Sequence, residues 1–459
     1  MTRRPIALAL AVLLLPLGAQ AEDLLQSYEL ARTSDPQLAA AESTRLVSRE
    51  GAVQGRAAML PQINGSASYS RSRSDNESAS GGITTTDTTG DTTTRDLGLR
   101  LNQMVYDHSV VNRARSQDAL SQSGDFQLEA AGDSLITRTS TAYFNVLIAM
   151  ETLAAAEAQE TALKKQFDFA DKRLEVGLAP ITDVYEARAQ YDRARANTIV
   201  TSNALEDAYR ALEEITGTDL RTLKALPQDF QPQLPSALDG EGWVAAALDN
   251  NPSLKAQEYR LKSAEANVES ARGGHYPTLY FGANYGRTRN DGDSTNNLLN
   301  LDSDFESQSN SRSIGLTLSV PIFAGGATQS QVRQALAQRD IASDELEQQK
   351  RALVRNTRNA YRTLVAGVSE VEARKAAVFS ARSAYDASQV GLEVGTRTVL
   401  DVLNNQQTLF NAEREYALSR YNFLQNRLQL EQSAGTLDLD DLQDVNRLLT
   451  VDATLKTTP

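Results

Sequence analysis

Apolar residues occupy every second position in two short stretches of the first half of the chain. The members are Ile63, Gly65, Ala67 and Tyr69, followed after a gap by Leu97, Leu99 and Leu101. Strict alternation between apolar and polar positions is typical of a β-strand with one apolar face. The pattern predicts strands at about 62–74 and 92–106. The Thr/Ser/Gly-rich run between them is interpreted as a long polar loop.

The second half repeats this alternation in the same order. Its apolar positions are Leu279, Phe281, Ala283 and Tyr285, and then Ile314, Leu316, Leu318 and Val320. They predict strands at about 278–288 and 312–323, again on either side of a polar run. Each half therefore contributes two strands, which gives four strands per chain.

The rest of the chain follows a helical pattern, and two of the predicted helices are very long. They span about 109–175 and 327–393, and the second has apolar residues at coiled-coil spacing. Each ends in a short turn that begins another helix. We name these turns tip 1, residues 176–183, and tip 2, residues 394–401. The chain is therefore predicted to be mixed α and β, and mostly helical.

The same order of elements in both halves indicates an internal two-fold repeat. Gly177 of tip 1 corresponds to Gly395 of tip 2, and Asp183 corresponds to Asp401. Repeated features at a fixed spacing indicate a tandem architecture. The predicted segments are repeat one at 22–217, a connector at 218–240, repeat two at 241–435 and an acidic C-terminal tail at 436–459.

Residues 1–21 have the features of a secretory signal peptide. Two arginines precede an apolar run, and small residues at 19–21 complete a cleavage site. The mature chain is expected to begin at Glu22. The net charge of −13 argues against nucleic acid as a partner, because nucleic-acid binding depends on neutralising phosphates. The absence of cysteine excludes disulfides and a lipid on an N-terminal cysteine.

The four predicted strands have the length of a membrane span, about 10 residues. Four strands cannot close a barrel alone, and open sheet edges do not occur in lipid. Either several chains contribute strands to one barrel, or the strands lie in water. The apolar face and the long polar runs favour a shared barrel. The alternative is a soluble periplasmic coiled-coil scaffold, and a weaker third interpretation is a secreted adhesin or enzyme.

Several motifs resemble the TolC family of outer-membrane efflux proteins, and its namesake more than its lipidated members. The matching segments are Thr141–Leu147, Val176–Leu178, Ile181–Val184, Ala187–Asp192, Gly391–Arg397, Val399–Leu403 and Ala417–Leu424. The resemblance covers essentially the whole mature chain and preserves its two-fold repeat. It implies a homotrimer with a twelve-stranded transmembrane β-barrel in the outer membrane. A twelve-helix periplasmic α-barrel of coiled coils would continue that barrel.

The function implied by the resemblance is a passive exit duct for tripartite efflux pumps, type I secretion systems, or both. A periplasmic adaptor protein would open its periplasmic end, and an inner-membrane transporter would supply the energy. Outer-membrane lipid would surround the barrel. No cofactor and no enzymatic activity are expected, since the sequence has no phosphate loop and no nucleophile elbow. The two histidines, His108 and His275, lie far apart and do not form a metal motif.

The two tip carboxylates allow a structural and a functional interpretation. Asp183 and Asp401 both fall in the first turn of a helix, where a carboxylate complements the helix dipole. The resemblance also places Asp401 in an acidic ring at the closed periplasmic entrance, which would favour cations. The family has a second acid three residues later, where this chain has Asn404. Block by cations is therefore expected to be weaker.

The resemblance further implies links that hold the entrance shut. Arg397 matches the arginine of one link, with partners near Thr182 and Asp183. Leu392 stands where the family has the aromatic residue of a second link, and leucine cannot make that hydrogen bond. The closed state is therefore expected to be looser, unless another residue compensates.

The tips are also candidates for adaptor docking. The residues concerned are Val176, Gly177, Leu178, Val394, Gly395 and Thr396. Both glycines are needed first as turn residues after a helix end, where φ is often positive. This role is compatible with docking. A set of aromatic residues near the strand ends, Tyr69, Tyr106, Tyr280, Tyr285 and Phe323, allows either a membrane-interface girdle or ordinary packing.

Overall fold

The computed structural model describes residues 22–234 and 238–453, so the predicted signal peptide lies outside it. The described chain divides into two compact units. The sheet unit consists of Glu42–Gln127 and Ser253–Gln349, and the core unit is the remainder of the described chain. No helix in either described range combines the length and the apolarity needed to cross a membrane.

The first half contains four helices and the first two long strands of the described chain. They are α1 (Leu24–Ser34), α2 (Pro36–Ala57), β1 (Gln62–Ser80), β2 (Ile83–Tyr106), α3 (His108–Glu175) and α4 (Ile181–Thr216). Helix α3 contains 68 residues, a length of about 100 Å at 1.5 Å per residue. No proline interrupts it, which permits this length.

A connector and the second half follow the same order. The elements are β3 (Lys224–Ala225), α5 (Gly240–Asn250), α6 (Pro252–Arg272), β4 (Thr278–Asn296), β5 (Leu301–Ser319), α7 (Ala327–Glu393), α8 (Val399–Ala434), α9 (Leu439–Leu448) and β6 (Val451–Asp452). A 3₁₀ turn at Gly273–His275 precedes β4. Helix α7, with 67 residues, matches α3 in length.

The four long strands form one antiparallel sheet in the order β1-β2-β4-β5. The pairing of β2 with β4 joins the two halves. Strands β1 and β5 each have a partner on one side only within the described residues. Each chain thus supplies an open four-stranded sheet.

The strands run further than their alternation predicted. The expectation that the polar runs between the predicted strands are loops was wrong, because most of these residues are paired in the sheet. The runs are rich in threonine and serine, and threonine suits a strand whose neighbours satisfy its backbone. The first hairpin turns at Gly81 and Gly82, both with positive φ. Strand β5 ends at Ser319 and not at 323, since Pro321 cannot donate a ladder hydrogen bond.

The core unit is built where the helices meet the connector and the C-terminal segment. Its largest buried side chains include Tyr143, Phe144, Tyr421 and Phe423. The Tyr143 hydroxyl donates to the Lys224 carbonyl oxygen at 2.8 Å and accepts from the Lys224 amide. Strand β3 of the connector pairs with β6, and α9 buries Leu442 and Val445 in the same core. The described parts of the connector and of the acidic C-terminal segment, Leu223–Ala225 and α9 with β6, are therefore packed in the core unit.

Candidate functional site

Tip 1 closes helix α3 with a left-handed glycine. Gly177 has φ of 77°, its amide donates to the Leu174 carbonyl oxygen at 2.9 Å, and the Leu178 amide donates to the Arg173 carbonyl oxygen at 2.8 Å. This pair of bonds is the Schellman motif, which satisfies carbonyls left open at a helix end. Beneath the tip, α3 and α4 pack through Ala170, Val184 and Ala187.

Tip 2 closes helix α7 in the same way. Gly395 has φ of 78°, its amide donates to the Leu392 carbonyl oxygen at 3.1 Å, and the Thr396 amide donates to the Gly391 carbonyl oxygen at 2.8 Å. An added Cβ at Gly391 would lie 2.6 Å from Cγ of Arg397. Glycine at 391 is therefore required for the aliphatic stem of Arg397 to lie over the helix end.

The helices that follow the two tips begin differently. Helix α8 has a reciprocal cap: the Asp401 amide donates to Oγ1 of Thr398 at 3.2 Å, and the Thr398 amide donates to Oδ2 of Asp401 at 2.9 Å. This is a capping box, which satisfies two open backbone donors. Helix α4 has Pro180 at its N-cap, with no side-chain cap. Proline has no N–H, so the Asp183 carboxylate cannot accept a hydrogen bond from the N-cap amide.

Hydrogen bonds from Thr398 stabilise the ionised form of Asp401. Its pKa is held below the ordinary value, first by the Thr398 amide and then by the Thr398 hydroxyl, with a smaller contribution from the positive charge of Arg397. These contacts favour the ionised form of the carboxylate. Asp401 is therefore both a helix cap and a negative charge at tip 2.

Within one chain, the predicted links at the tips are not joined. Across the described residues, Arg397 makes no hydrogen bond or ion pair with Thr182 or Asp183. Thr182 and Arg397 are exposed, and Asp183 is partly exposed. Leu392 is partly buried and contributes only its backbone to the turn.

Tyr385, to which the sequence analysis assigned no functional role, connects α7 to α8. The Tyr385 hydroxyl accepts a hydrogen bond from Nε2 of Gln389 at 2.7 Å and a long one from Nε2 of Gln406 at 3.5 Å. Gln406 is buried. Tyr385 lies two turns before Leu392, so an aromatic hydroxyl is present in this hairpin although not at the expected position. Only the fold pairs it with Gln406, because no local sequence signal links positions 385 and 406.

The residues predicted for docking are the most exposed apolar groups at the tips. Val176 and Leu178 are each 67% exposed, and Val394 is 68% exposed. Gly177, Gly395 and Thr396 are exposed beside them. Tip 1 thus exposes two large apolar side chains at its turn, Val176 and Leu178, and tip 2 exposes one, Val394.

Asn404 lies one turn after Asp401 on α8, in a polar groove between α3, α4 and α8. The groove is lined by Gln159, Asn197, Asn404, Gln407, Asn411 and Arg414, among others. At one end Leu163, Ala194 and Leu403 pack the three helices together. Asn404 is exposed, and only its backbone oxygen accepts a hydrogen bond, from Thr408 at 2.9 Å.

The two tips offer carboxylates and guanidinium groups but no assembled reaction centre. In the described ranges no three histidine or acidic side chains cluster as metal ligands.

The family model described as "Outer membrane efflux protein" matches the chain over residues 27–218 and 243–436. The chain belongs to the outer membrane efflux protein family. These two matched segments cover both tips. As a member of this family, the chain is an exit duct of the outer membrane, and the family is one of transport proteins.

Characterised relatives match this family member over nearly its whole length. It is 35% identical over 434 residues to the outer membrane protein TolC of Escherichia coli, covering 94% of this chain and 86% of that protein. It is 30% identical over 440 residues to the alkaline protease secretion protein AprF of Pseudomonas aeruginosa, covering 94% and 88% of the two chains.

Solved structures show the same fold. The CmeC outer membrane channel of Campylobacter jejuni matches with a TM-score of 0.75 at 18% identity, covering 94% of this efflux protein and 90% of that chain. The VceC outer membrane protein of Vibrio cholerae matches with a TM-score of 0.72 at 19% identity, covering 90% and 96%. The mostly helical architecture with an open four-stranded sheet is thus the fold of this family.

Proposed function

We propose that three copies of the chain join their sheets into one twelve-stranded barrel in the outer membrane. The observation that carries this proposal is the open sheet with unpartnered outer edges on β1 and β5. An unsatisfied backbone group in lipid costs several kcal/mol, so edges must be closed by pairing. The smallest bacterial barrels have about eight strands, which requires at least two chains. The resemblance to the TolC family supports three chains as the number.

The proposed segments follow the same scheme. The signal peptide at 1–21 directs export, and repeats at 22–217 and 241–435 each supply two strands and a helical hairpin. Twelve helices from three chains would form the periplasmic α-barrel. The duct is passive, so catalysis is not part of the proposal.

The tips form the periplasmic entrance of this duct. Arg397 of tip 2 would reach Thr182 and Asp183 of tip 1 between assembled hairpins, since it is exposed and its side chain forms no ion pair among the described residues. Asp401 would form a ring of three carboxylates, and Asn404 would leave a second ring uncharged. Leu392 contributes no hydrogen bond to the lock. The partly buried Tyr385 hydroxyl instead steadies α7 against α8.

The exposed tip residues are proposed to receive a periplasmic adaptor. Val176, Leu178 and Val394 offer apolar contacts beside the glycine turns. AprF is by its name a protease secretion protein, and TtgI of Pseudomonas putida is a toluene efflux pump outer membrane protein. The chain is accordingly proposed to serve tripartite efflux, type I secretion, or both, with an inner-membrane transporter supplying the energy.

Electron microscopy of the protein extracted by detergent from the outer-membrane fraction tests the assembly. The proposal predicts threefold particles with a tube on the order of 100 Å long, the length of α3. A monomer that is extracted without detergent would contradict it and favour the soluble coiled-coil scaffold.

A further inference from the structure

The register of the sheet gathers arginines on its apolar face. Residues opposite one another in adjacent strands share a face. One apolar row is Ile63, Leu101, Ala283 and Ile314. The next three rows toward the hairpin turns are Gly65–Leu99–Tyr285–Arg312, Ala67–Leu97–Arg287–Asn310 and Tyr69–Arg95–Arg289–Gln308. These three rows hold four arginines and no carboxylate.

Two of these arginines are neutralised by the row beyond them. Arg95 Nη1 lies 2.6 Å from Oδ2 of Asp291, and Arg289 Nε lies 2.9 Å from its Oδ1. Arg289 also contacts Glu306. Their charges are therefore already matched by protein carboxylates.

Arg287 and Arg312 lack such a partner. Arg287 donates from Nη2 to Oε1 of Gln308 at 3.1 Å, and Arg312 lies over the Tyr285 ring at 5.7 Å from its centroid. Neither forms an ion pair anywhere in the described residues, and both are exposed. They are diagonal neighbours on β4 and β5, a relation that separates the residues by about 7–8 Å. Two guanidinium forks at this spacing can hold one phosphate between them.

The position of the pair along the strands corresponds to a membrane interface. The apolar face of β4 begins at Leu279, and Arg287 is its ninth residue counted from there. A tilted transmembrane strand needs about 9–11 residues to cross the hydrocarbon. An arginine is expensive at the bilayer midplane and nearly free of penalty near the interface. Arg287 therefore lies near where headgroups begin, at the end of the sheet nearer the hairpin turns. Arg312 lies opposite Tyr285, two residues nearer the hydrocarbon, and its long side chain can extend to the same interface.

A neighbouring copy would not neutralise the pair. Strand β5 is an edge strand, and the edge it would meet in an assembled barrel is β1. The residues of β1 on this face, from Ile63 to Arg73, include no acid. Positive charge would therefore remain after assembly.

We propose that Arg287 and Arg312 bind the phosphate of an anionic lipid headgroup in the surface leaflet of the outer membrane. This inference rests on the proposed barrel, in which the apolar face meets lipid. Charge complementarity selects the occupant: two unpaired guanidinium groups beside an apolar surface fit a phosphate attached to acyl chains. Tyr285, opposite Arg312 and two residues before Arg287, supplies an amphipathic ring of the kind found at membrane interfaces.

Native mass spectrometry of the detergent-solubilised protein, titrated with lipid A that carries both phosphates, tests the site. The double variant Arg287→Gln with Arg312→Gln is expected to bind at least roughly tenfold more weakly, since each surface arginine contributes to binding anionic lipid. The matched control is Arg71→Gln with Arg73→Gln. It removes the same charge from the same face, but from residues near Asp91 and Asp75. The control is expected to bind as the wild type does.

Dephosphorylated lipid A is the second arm, and the wild type and the Arg287/Arg312 variant should bind it equally. Equal affinity of both double variants for the phosphorylated lipid would overturn the site. Conductance in planar bilayers distinguishes an error in the proposed lipid site from an error in the proposed trimeric barrel. A conducting trimer with unchanged lipid affinity rejects only the lipid site, whereas a protein that forms no channel rejects the proposed function as well.

Discussion

Tip 1 and tip 2 occupy equivalent positions of the repeat, yet their carboxylates have different surroundings. Asp401 is held by the amide and hydroxyl of Thr398, whereas Asp183 follows Pro180 and accepts no N-cap hydrogen bond. The backbone turn is nearly identical, with φ of 77° at Gly177 and 78° at Gly395. Equivalent carboxylates of the two repeats therefore differ: Asp401 is engaged in a helix cap, whereas Asp183 remains available to accept a hydrogen bond from another group.

The largest expected effect concerns charge at tip 2. Replacing Asp401 by alanine should weaken block by trivalent cations on the order of a hundredfold, because three carboxylates are lost at a narrow entrance. Single-channel recording in planar bilayers measures it. Asp183→Ala is the matched comparison at tip 1: it should raise the open probability by removing a partner of Arg397, but it should change the block by trivalent cations little. Equal block in the wild type and Asp401→Ala would remove Asp401 from the entrance.

The converse substitution adds charge beside the same position. Asn404→Asp should strengthen the block, since Asn404 is exposed and would supply a second acidic ring. The same recordings measure it, with Asn404→Ala as the uncharged control. Unchanged block in Asn404→Asp would show that position 404 does not face the permeating ion.

A smaller effect is expected from the proposed lock between the tips. Arg397→Ala should raise the ratio of open to closed channels roughly tenfold, the effect of losing one charge-assisted hydrogen bond. Open probability in planar bilayers provides the measurement. Arg173→Ala is the control at tip 1, because the side-chain contacts of Arg173 within the described residues are to its own hairpin, at the Leu178 carbonyl oxygen and the Phe169 ring. An equal rise in open probability in Arg397→Ala and Arg173→Ala would show that the loss of positive charge, and not the loss of the lock, opens the channel.

The smallest expected effect is a loss of local stability in the first turn of α8 when its N-cap is removed. Thr398→Ala should destabilise the first turn of α8 by about 1 kcal/mol, since it removes an N-cap. Hydrogen exchange of the first-turn amides measures it, with the exposed Thr182→Ala as the control at tip 1. The lowered pKa of Asp401 means that the stabilising contact is present above the ordinary aspartate pKa and is lost as pH falls through the lowered value. Unchanged exchange in Thr398→Ala would contradict the capping role.

Local signals in the sequence account for the helices and the tips. Gly177 and Gly395 end helices whose apolar spacing is long and regular, so both turns could be placed within a residue. The Thr-x-x-Asp spacing of Thr398 and Asp401 is also a capping signal, and it could have distinguished tip 2 from tip 1. At tip 1, Pro180 stands at the N-cap position, and a proline there indicates that no capping box forms.

Features that depend on pairing could not be found in this way. The Thr-rich run of β2 has no apolar alternation, and it is a strand because β1 and β4 pair with it on both sides. The contact between Tyr385 and Gln406 and the proximity of Arg287 to Arg312 also arise from packing and register. No short window of the sequence contains both members of either pair.

Cross-linking of the tips tests the proposed closed entrance most directly. The natural chain has no cysteine, so Asp183→Cys and Arg397→Cys can be combined in an otherwise unreactive protein. A short bismaleimide applied to outer membranes should join the two positions only in the double variant. Conductance of the joined channel should then stay low when each single variant opens normally. Absence of cross-linking in assembled trimers, or a joined channel that conducts as freely as the single variants, would contradict a duct held shut between tip 1 and tip 2.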